Sequence, residues 1–401
     1  MGVVASLLMV TQLNRCSLLW LFMSVATLSA RLSTMTPAEH GFAWFDPEVT
    51  VGHGRGPLRG MVIPAKDLHH VAGMPTAFGS AGRQVQATET DPFLQALIDR
   101  GAIIAGKTQT SELGLTAYCE PVGLPTPDNP VLPGHTTGGS SGGAAVAVAR
   151  MLVDAAHASD GGGSIRVPAA ACQVVGFKPA HDSRGGMPAT QGFITRDIPT
   201  QARLHALTPV VRPLRVGVLL EPVHADTTVD DHFVNTVEKV ARRLEQLGHE
   251  VVPVGRPYGS WAFEAFAAVL AMRSCSIEDP GAGDTSAIVG WLREQGRSQS
   301  PVARGRAVAA FDSVGDAVRE SWDVDVVLSP TLAFPPPPLG HFSSLGPEGD
   351  FLEQTRWTPW ATTYNMTGGA AMSVPVDGVG VHMGAVRVGN AEILGLGGQL
   401  L

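Results

Sequence analysis

The sequence predicts an α/β fold in which helices cover a largely parallel β-sheet. Three stretches support this prediction: residues 90–105, 214–254 and 323–330. Each contains an apolar run typical of a strand, next to a helical pattern or to residues that end a strand. The chain has 401 residues, 44% of them hydrophobic, which is enough to bury a large core. No shift in composition marks a domain boundary, so we expect one domain.

The first stretch is a helix followed by a strand. Residues 90–92, Thr-Asp-Pro, are typical of a helix start. Apolar side chains then recur at helical spacing: Phe93, Leu94, Leu97 and Ile98. Gly101 ends this helix, and the apolar run 102–105 predicts a short buried strand.

The second stretch repeats this alternation. A strand is predicted at 214–219, a helix at 230–247 and a further strand at 249–254. The third stretch adds a strand at 323–328, which Ser329 and Pro330 terminate. Residues 280–310 are rich in Gly, Ser and Arg, and we expect them to be the least regular part of the chain.

Charge and cysteine usage restrict the classes of partner. The formal net charge is −8 and the chain has no run of Lys or Arg, which argues against a nucleic acid or an anionic membrane surface. The four cysteines form no CxxC pair and the histidines show no metal-ligand spacing, so we expect no disulfide framework and no metal. A small-molecule ligand and a reducing compartment are favoured.

The amino terminus permits two interpretations. Residues 16–25 are apolar enough for the core of a signal peptide, but they are too short to span a bilayer. Only Arg15 precedes them as a positive charge, and no convincing cleavage site follows. We therefore predict an N-terminal extension or signal-like segment at 1–34, a main domain at 35–401 and a cytoplasmic protein, with export by residues 1–30 as the alternative.

Two glycine-rich runs each contain a serine. Residues 138–143 read Gly-Gly-Ser-Ser-Gly-Gly, and residues 160–166 read Asp-Gly-Gly-Gly-Ser-Ile-Arg. A backbone with so few Cβ atoms can adopt positive φ angles and bring its N–H groups close to a ligand. These runs therefore predict a site built around a nucleophilic serine.

Two general motifs compete for this region. Residues 101–108 satisfy G-x-x-x-x-G-K-[ST], the pattern of a phosphate-binding loop and hence of a nucleotide-binding protein. A helix precedes the first glycine, however, and the interior of the motif is strand-like. Residues 138–142 fit a G-x-S-x-G nucleophile elbow, in which Ser140 would be the nucleophile. This motif needs an acid and a histidine further along the chain, for which Asp325 and His382 are candidates. The local sequences of these two partners give the elbow no support.

A third interpretation uses both serine runs and a lysine. Four segments in this order and spacing resemble the amidase signature family of Ser-Ser-Lys hydrolases: residues 56–67, 138–143, 160–168 and 176–179. Further similarity lies at residues 129–130, 244–251, 329–331 and 364–375. The resemblance spans about residues 55–395.

The resemblance implies a single domain with a twisted, mixed β-sheet covered by helices. It also implies hydrolysis of a carboxylic amide through an acyl-enzyme, without a cofactor. Ser164 would be the nucleophile, Ser140 a bridging serine after a cis peptide bond, and Lys66 the base. Lys107 would be structural.

These residue types suit the chemistry. A serine hydroxyl needs a base within hydrogen-bond reach, and a lysine serves only when neutral, which burial promotes by lowering its pKa. The amides of Gly161, Gly162 and Gly163, with that of Ser164, would stabilise the oxyanion. Three neighbouring residues are expected to have supporting roles. Asp160 and Arg166 would brace the nucleophile loop, and Thr137 would donate a hydrogen bond.

The same family contains aminoacyl-tRNA amidotransferase A-type subunits, which form a further alternative. The region after Lys178 lacks the Ser-Leu-Asp type segment often found in the family and has Gln-Gly-Phe-Ile-Thr-Arg at 191–196 instead. We therefore favour a free-standing amidase with a small-molecule amide as its partner. A homodimer is left open by the sequence.

Overall fold

The computed structural model describes residues 24–277 and 285–401. The strands, in chain order, are β1 (Phe42–Trp44), β2 (Thr50–Val51), β3 (Val62–Lys66), β4 (Pro75–Thr76), β5 (Val85–Gln86), β6 (Ile103–Thr108), β7 (Ala155–Asp160), β8 (Val175–Lys178), β9 (Thr190–Thr195), β10 (Arg215–Val218), β11 (Glu250–Pro253), β12 (Val326–Pro330), β13 (Ala371–Val376) and β14 (Val379–Ala385).

Helices surround these strands. They are α1 (Val25–Leu32), α2 (Pro37–His40), α3 (Pro92–Asp99), α4 (Gly142–Ala149), α5 (Arg166–Ala171), α6 (Ile198–His205), α7 (Asp231–Gln246), α8 (Trp261–Ser274), α9 (Ala287–Ser298), α10 (Pro301–Ser321), α11 (Gly346–Trp357), α12 (Thr363–Met366) and α13 (Asn390–Gly398). Short 3₁₀ turns lie at Ala81–Arg83, Glu112–Gly114 and Ser343–Leu345.

The central sheet has eight strands in the order β11-β10-β12-β14-β13-β8-β9-β7. Its β10 pairs in parallel with β11 and with β12. The five remaining pairs, from β12/β14 to β9/β7, are antiparallel. The α/β class and the mixed sheet implied by the family resemblance are therefore confirmed, whereas the expectation of a largely parallel sheet is wrong.

The predicted strand–helix–strand unit at 214–254 forms the parallel part of this sheet. Asp230 caps α7 by accepting a hydrogen bond from the main-chain N–H of His232. One face of α7 is buried against the sheet, including Phe233, Val237 and Leu244. Alternating strands and helices predicted this unit well because a parallel connection has to cross over the sheet.

A smaller sheet carries the lysine of the family resemblance. In it β6 pairs antiparallel with β1 and β2, and in parallel with β3. The pairing of β3 with β6 shifts register between Ile63 and Ala65, after which Lys66 lies opposite Thr108. All five residues of β3 are buried, and β3 contacts β7 at the edge of the central sheet. This contact brings the end of β3 to the start of the 160–166 run.

Residues 285–310 differ from the sequence-based expectation, because they are mostly helical. The helices α9 and α10 occupy nearly all of this segment, and Ser300 caps α10 with Pro301 in its first turn. Buried residues Ile288, Val289 and Leu292 hold α9 against the domain. The high content of Gly, Ser and Arg therefore reflects polar helix faces rather than irregular structure.

The described end of the amino-terminal segment is a packed helix. Leu28 and Leu32 of α1 are buried beside α4. The Arg31 guanidinium donates to the carbonyl oxygens of Arg150 (3.0 Å) and Met151 (2.6 Å). The apolar run at 16–25 lies outside the described residues except for its last two positions. Among residues 24–277 and 285–401, no helix combines the length and apolar character needed to cross a bilayer.

Candidate active site

Lys66 lies at the buried end of β3 and contacts two serine hydroxyls. Its Nζ is 2.6 Å from Ser140 Oγ and 3.0 Å from Ser159 Oγ. The side chain is completely buried, and this burial lowers the pKa of Lys66 to about 7, although the negative charge of Asp160 opposes the shift. A large fraction of the amine is therefore neutral near pH 7 and has a free lone pair.

Ser140 follows a cis peptide bond, as the family resemblance implies. The bond joins it to Gly139, where a Cβ atom would lie 2.3 Å from the carbonyl oxygen of Tyr118. Only glycine fits this position, because the chain passes so close to another backbone segment. The main-chain N–H of Ser111 donates to the Ser140 carbonyl at 3.2 Å and holds the loop on its other side.

Ser164 stands at the start of the turn into α5 and lines a cavity together with Gly161 and Gly162. Within the described part of the chain, its hydroxyl makes no hydrogen bond, and the structure therefore does not join it to Ser140. Catalytic hydrogen bonds of this kind often tighten only when a substrate is bound. The serine is half-buried and accessible from the cavity.

The expected oxyanion donors fall into two groups. The N–H of Gly163 donates to Asp160 Oδ1 at 2.7 Å, so this donor is already occupied. The N–H groups of Gly161, Gly162 and Ser164 donate to no acceptor among the described residues. Gly163 itself has a φ of +117°, a conformation that favours glycine. The sequence did not reveal this division of the three glycine amides.

Asp160 and Arg166 form a buried ion pair beneath the serine turn. Arg166 Nε donates to Asp160 Oδ2 at 2.9 Å, and Arg166 Nη2 donates to Oδ1 at 2.8 Å. Asp160 also accepts from the N–H of Ile165 and from Asn365 Nδ2. Burial opposes ionisation of this carboxyl, but the Arg166 charge and these donors hold the pKa of Asp160 below its ordinary value. The pair thus braces both ends of the turn.

Thr137 and Lys107 are also engaged within the protein. Thr137 Oγ1 donates to the carbonyl oxygen of Gly138 at 3.2 Å. Lys107 Nζ lies 3.0 Å from Asp67 Oδ1 and 2.8 Å from Thr76 Oγ1. Residues 103–108 form the strand β6, which is not the loop that phosphate binding requires. The nucleotide-binding alternative is therefore not favoured.

The elbow alternative lacks a suitable histidine. His382 Nε2 is 3.0 Å from Arg166 Nη1 and, because an arginine only donates, Nε2 is an acceptor there. Its Nδ1 is 3.4 Å from Ser329 Oγ. Asp325 accepts from the main-chain N–H of Arg215 between β10 and β12. Neither residue contacts Ser140, whose side chain accepts a hydrogen bond from Lys66.

Two residues of β7 were missed from the sequence. His157 Nδ1 accepts from the main-chain N–H of Lys66 at 3.2 Å, and its Nε2 is 2.9 Å from Gln191 Oε1. Ser159 supplies the second hydroxyl at Lys66 Nζ. The two residues are two positions apart on a strand and therefore share a face. Polar residues at this spacing in an otherwise apolar strand were the available signal.

Comparison with known proteins gives a consistent assignment. The family model "Amidase" matches residues 38–205. A relative in Mycobacterium tuberculosis (strain ATCC 25618 / H37Rv), named "Putative amidase AmiA2", is 31% identical over 423 residues, covering 95% of this chain and 87% of the relative.

Two solved structures share the fold. A 6-aminohexanoate cyclic dimer hydrolase has a TM-score of 0.84 at 21% identity, covering 94% of this chain and 92% of that one. A bacterial aryl acylamidase of the amidase signature family has a TM-score of 0.74 at 20% identity, covering 93% and 91%.

The family match, the relative and the shared fold define a hydrolase of the amidase type. The chain belongs to the amidase signature family and is an amidase.

Proposed function

We propose that this amidase uses Ser164 as nucleophile, Ser140 as the proton carrier and Lys66 as the base. The single observation that carries the proposal is the 2.6 Å distance between Lys66 Nζ and Ser140 Oγ at a fully buried site. A hydroxyl both donates and accepts, so Ser140 can pass a proton from Ser164 to the neutral amine.

The first half-reaction forms an acyl-enzyme. Ser164 Oγ attacks the amide carbon while its proton moves to Ser140 Oγ, and the Ser140 proton moves to Lys66 Nζ. The C–N bond then breaks, and the leaving nitrogen takes a proton from Ser140, which Lys66 replenishes. The acyl group remains as an ester on Ser164. Water, deprotonated by the same relay, attacks this ester and releases the acid.

The oxyanion is assigned to the three unoccupied amides, those of Gly161, Gly162 and Ser164. A preorganised N–H donor of this kind contributes about 3 kcal/mol to stabilisation of the transition state. Gly163 has a different role in this proposal, since its amide holds the Asp160 carboxylate. Asp160, Arg166 and Thr137 then act as positioning residues that keep the loops in place.

The organisation of the chain is part of the same proposal. Residues 35–401 form the amidase domain, and residues 1–34 are an N-terminal extension. The enzyme is cytoplasmic and acts on a small-molecule amide without a nucleic acid, a cofactor or stable membrane insertion, and a homodimer is compatible with it. The negative net charge and the absence of Lys or Arg runs argue against a nucleic acid or an anionic membrane surface as partner.

A fluorophosphonate serine probe with peptide mass mapping tests the relay. We expect an adduct on Ser164 in the natural protein, no adduct in Lys66→Ala, and an adduct in folded Lys107→Ala. Ser140→Ala should lose labelling, whereas Ser141→Ala, which changes the adjacent buried serine, should retain it. An adduct on Ser140 instead of Ser164 would contradict the proposal.

A further inference from the structure

The cavity beside Ser164 has a continuous apolar wall. Five side chains form it: Leu115, Phe263, Phe266, Leu270 and Phe351. The Phe263 ring stacks on Phe266 and on Phe351, with centroid distances of 5.9 Å and 6.0 Å. Three of the five come from α8, so one helix presents most of the aromatic surface. Such a wall binds apolar groups by removing their surface from water.

The cavity lining also contains polar side chains, and most of their donors are engaged within the protein. Three threonine hydroxyls donate to main-chain carbonyl oxygens: Thr116 to Tyr118 (2.7 Å), Thr355 to Phe351 (2.8 Å) and Thr358 to Gln354 (2.9 Å). The Gln354 amide accepts from the N–H of Ala117 and donates to Asp350 Oδ1, both at 2.6 Å. The three threonine hydroxyls and one of the two Gln354 N–H groups are therefore engaged within the protein, and none of these residues carries a charge to pair with a ligand ion.

Thr362, a further polar residue of the cavity lining, contacts a buried histidine. Thr362 Oγ1 lies 2.9 Å from His224 Nδ1, and His224 Nε2 lies 2.9 Å from the Tyr258 hydroxyl. Burial lowers the pKa of His224 to about 3, so the ring is neutral at the pH at which Lys66 can act as a base. Thr362 thus adds no charge to the cavity.

Among the described residues, those that line the cavity include no Asp, Glu, Lys, Arg or His, so the lining carries no formal charge. Asp350 precedes Phe351 in the sequence but does not line the cavity. Its Oδ2 accepts from the Tyr118 hydroxyl at 2.7 Å, its Oδ1 accepts from Gln354, and burial raises its pKa. A charged substrate group entering the cavity would lose its water without gaining a partner.

The relay determines which part of the substrate meets the aromatic wall. The leaving nitrogen takes its proton from Ser140, so it lies on the side of Gly114, where a Cβ atom would be 3.5 Å from Ser140 Oγ. A Cβ atom on Gly162, one of the proposed oxyanion donors, would lie 3.1 Å from Phe266 Cζ. The acyl group therefore extends from the oxyanion glycines toward Phe266 and its neighbours.

We infer that the substrates are amides with an uncharged, apolar acyl group, aliphatic or aromatic, an inference that rests on the proposed roles of Ser164, Ser140 and Lys66. Amides whose acyl chain carries an ammonium or a carboxylate are excluded by the cost of desolvating that charge. Glutamine-like donors belong to the excluded class.

Three amides of equal chain length test the inference: hexanamide, 6-aminohexanamide and adipamic acid. They differ only in a neutral, cationic or anionic end, and at pH 8 both charged ends are ionised. We expect kcat/KM for hexanamide to exceed that of each charged amide by at least about 30-fold, because the charged end has no partner in the cavity. A smaller ratio for either one overturns the inference.

A matched pair of variants tests the placement of the acyl group. Leu270→Arg puts a cation into the apolar wall, whereas Leu352→Arg changes an exposed residue of α11 that does not line the cavity. We expect the adipamic acid to hexanamide ratio of kcat/KM to rise at least about tenfold in Leu270→Arg and to stay constant in Leu352→Arg. An unchanged ratio in folded Leu270→Arg overturns the placement, and the three-substrate comparison stands without this variant.

Failure of the inference is distinguishable from failure of the proposed mechanism. If the mechanism is wrong, the fluorophosphonate probe leaves Ser164 unlabelled, or Ser164→Ala retains hydrolysis. If only the substrate assignment is wrong, Ser164 is labelled and the three amides are cleaved at similar Ser164-dependent rates, or none of them is cleaved.

Discussion

Two buried lysines on neighbouring strands of the small sheet have different surroundings. Lys107 on β6 forms an ion pair with Asp67 at 3.0 Å. Lys66 at the end of β3 contacts the hydroxyls of Ser140 and Ser159, and no carboxylate of the described residues lies within ion-pair distance of it. Burial lowers the pKa of both amines, but the Asp67 charge opposes this for Lys107. A lysine that is to act as a base needs a buried amine without a paired carboxylate, because the carboxylate would favour the charged form.

A third lysine shows that a lowered pKa is not sufficient. Burial lowers the pKa of Lys178 to about 7, as for Lys66. Its Nζ donates to the carbonyl oxygens of Pro179 and Gly369 and lies 3.2 Å from His181 Nδ1. No serine hydroxyl is among these partners, so Lys178 has no route to a nucleophile. The contact with Ser140 is what distinguishes Lys66.

The largest expected effect is on activity in Lys66→Met. Methionine has a similar length but no basic nitrogen, so kcat/KM for an amide substrate should fall by on the order of 10³–10⁴. The melting temperature should not fall, because the variant removes a poorly solvated amine. Steady-state hydrolysis measures the change in kcat/KM, and thermal unfolding measures the melting temperature. Activity within tenfold of the natural enzyme would show that Lys66 is not the base.

Lys107→Met should instead affect stability. It leaves Asp67 buried without its cation, which should lower the free energy of unfolding by about 3–5 kcal/mol. Urea unfolding measures this loss, and the double variant Lys107→Met/Asp67→Asn should recover part of it. Activity per folded molecule should remain within a few-fold of the natural value. A loss of activity in fully folded protein would remove the contrast between the two lysines.

The pH dependence of stability gives the next largest effect. The folded-state pKa of Lys66 is about 7, below the ordinary 10.5, so the unfolded chain binds more protons between these values. Stability therefore rises with pH across this window, and the cost of burial is fully present below it. In Lys66→Met the slope should be smaller by at most about 1.4 kcal/mol per pH unit. Urea unfolding at pH 7, 8 and 9 compares the two proteins, and parallel slopes would contradict the assignment.

Ser159→Ala should have the smallest effect. For the natural enzyme, kcat/KM should fall about tenfold per pH unit below the Lys66 pKa of about 7. The Ser159 hydroxyl, 3.0 Å from Nζ, stabilises the ammonium, so its removal should move this midpoint to lower pH and reduce the plateau by about fivefold. Ser141→Ala is the control. A midpoint that moves to higher pH would refute this role for Ser159.

Local patterns predicted those parts of the fold that depend on neighbouring residues. The helix at 92–99, the strand at 103–108 and the parallel unit around α7 follow from apolar spacing and caps. The antiparallel pairing of β12 with β14 could not be predicted in this way, because it joins strands about fifty residues apart. Helices α9 and α10 were missed because their polar faces resemble loop composition.

Motifs predicted the candidate site better than they predicted its internal contacts. The glycine-rich runs and Lys66 are recognisable in the sequence, and the structure places Ser140 beside Lys66. The hydrogen bond from the Gly163 N–H to Asp160 depends on the conformation of the turn. The amino-acid composition of the turn does not reveal that conformation. The role of His157 depends on β7 lying against β3, a contact between segments about ninety residues apart.

The end of β3 places two consecutive charged residues in different surroundings. Lys66 and Asp67 are consecutive residues, yet Lys66 contacts Ser140 while Asp67 contacts Lys107. Successive residues of an extended chain face opposite sides, and the extra residue of the β3/β6 pairing lies on β6, where Ile104 and Lys107 are three residues apart, so the alternation along β3 is uninterrupted. Adding or removing one residue within β3 would exchange the sides of Lys66 and Asp67 and place a carboxylate beside Ser140. The contact between Lys66 and Ser140 therefore depends on the length of this strand as well as on its residues.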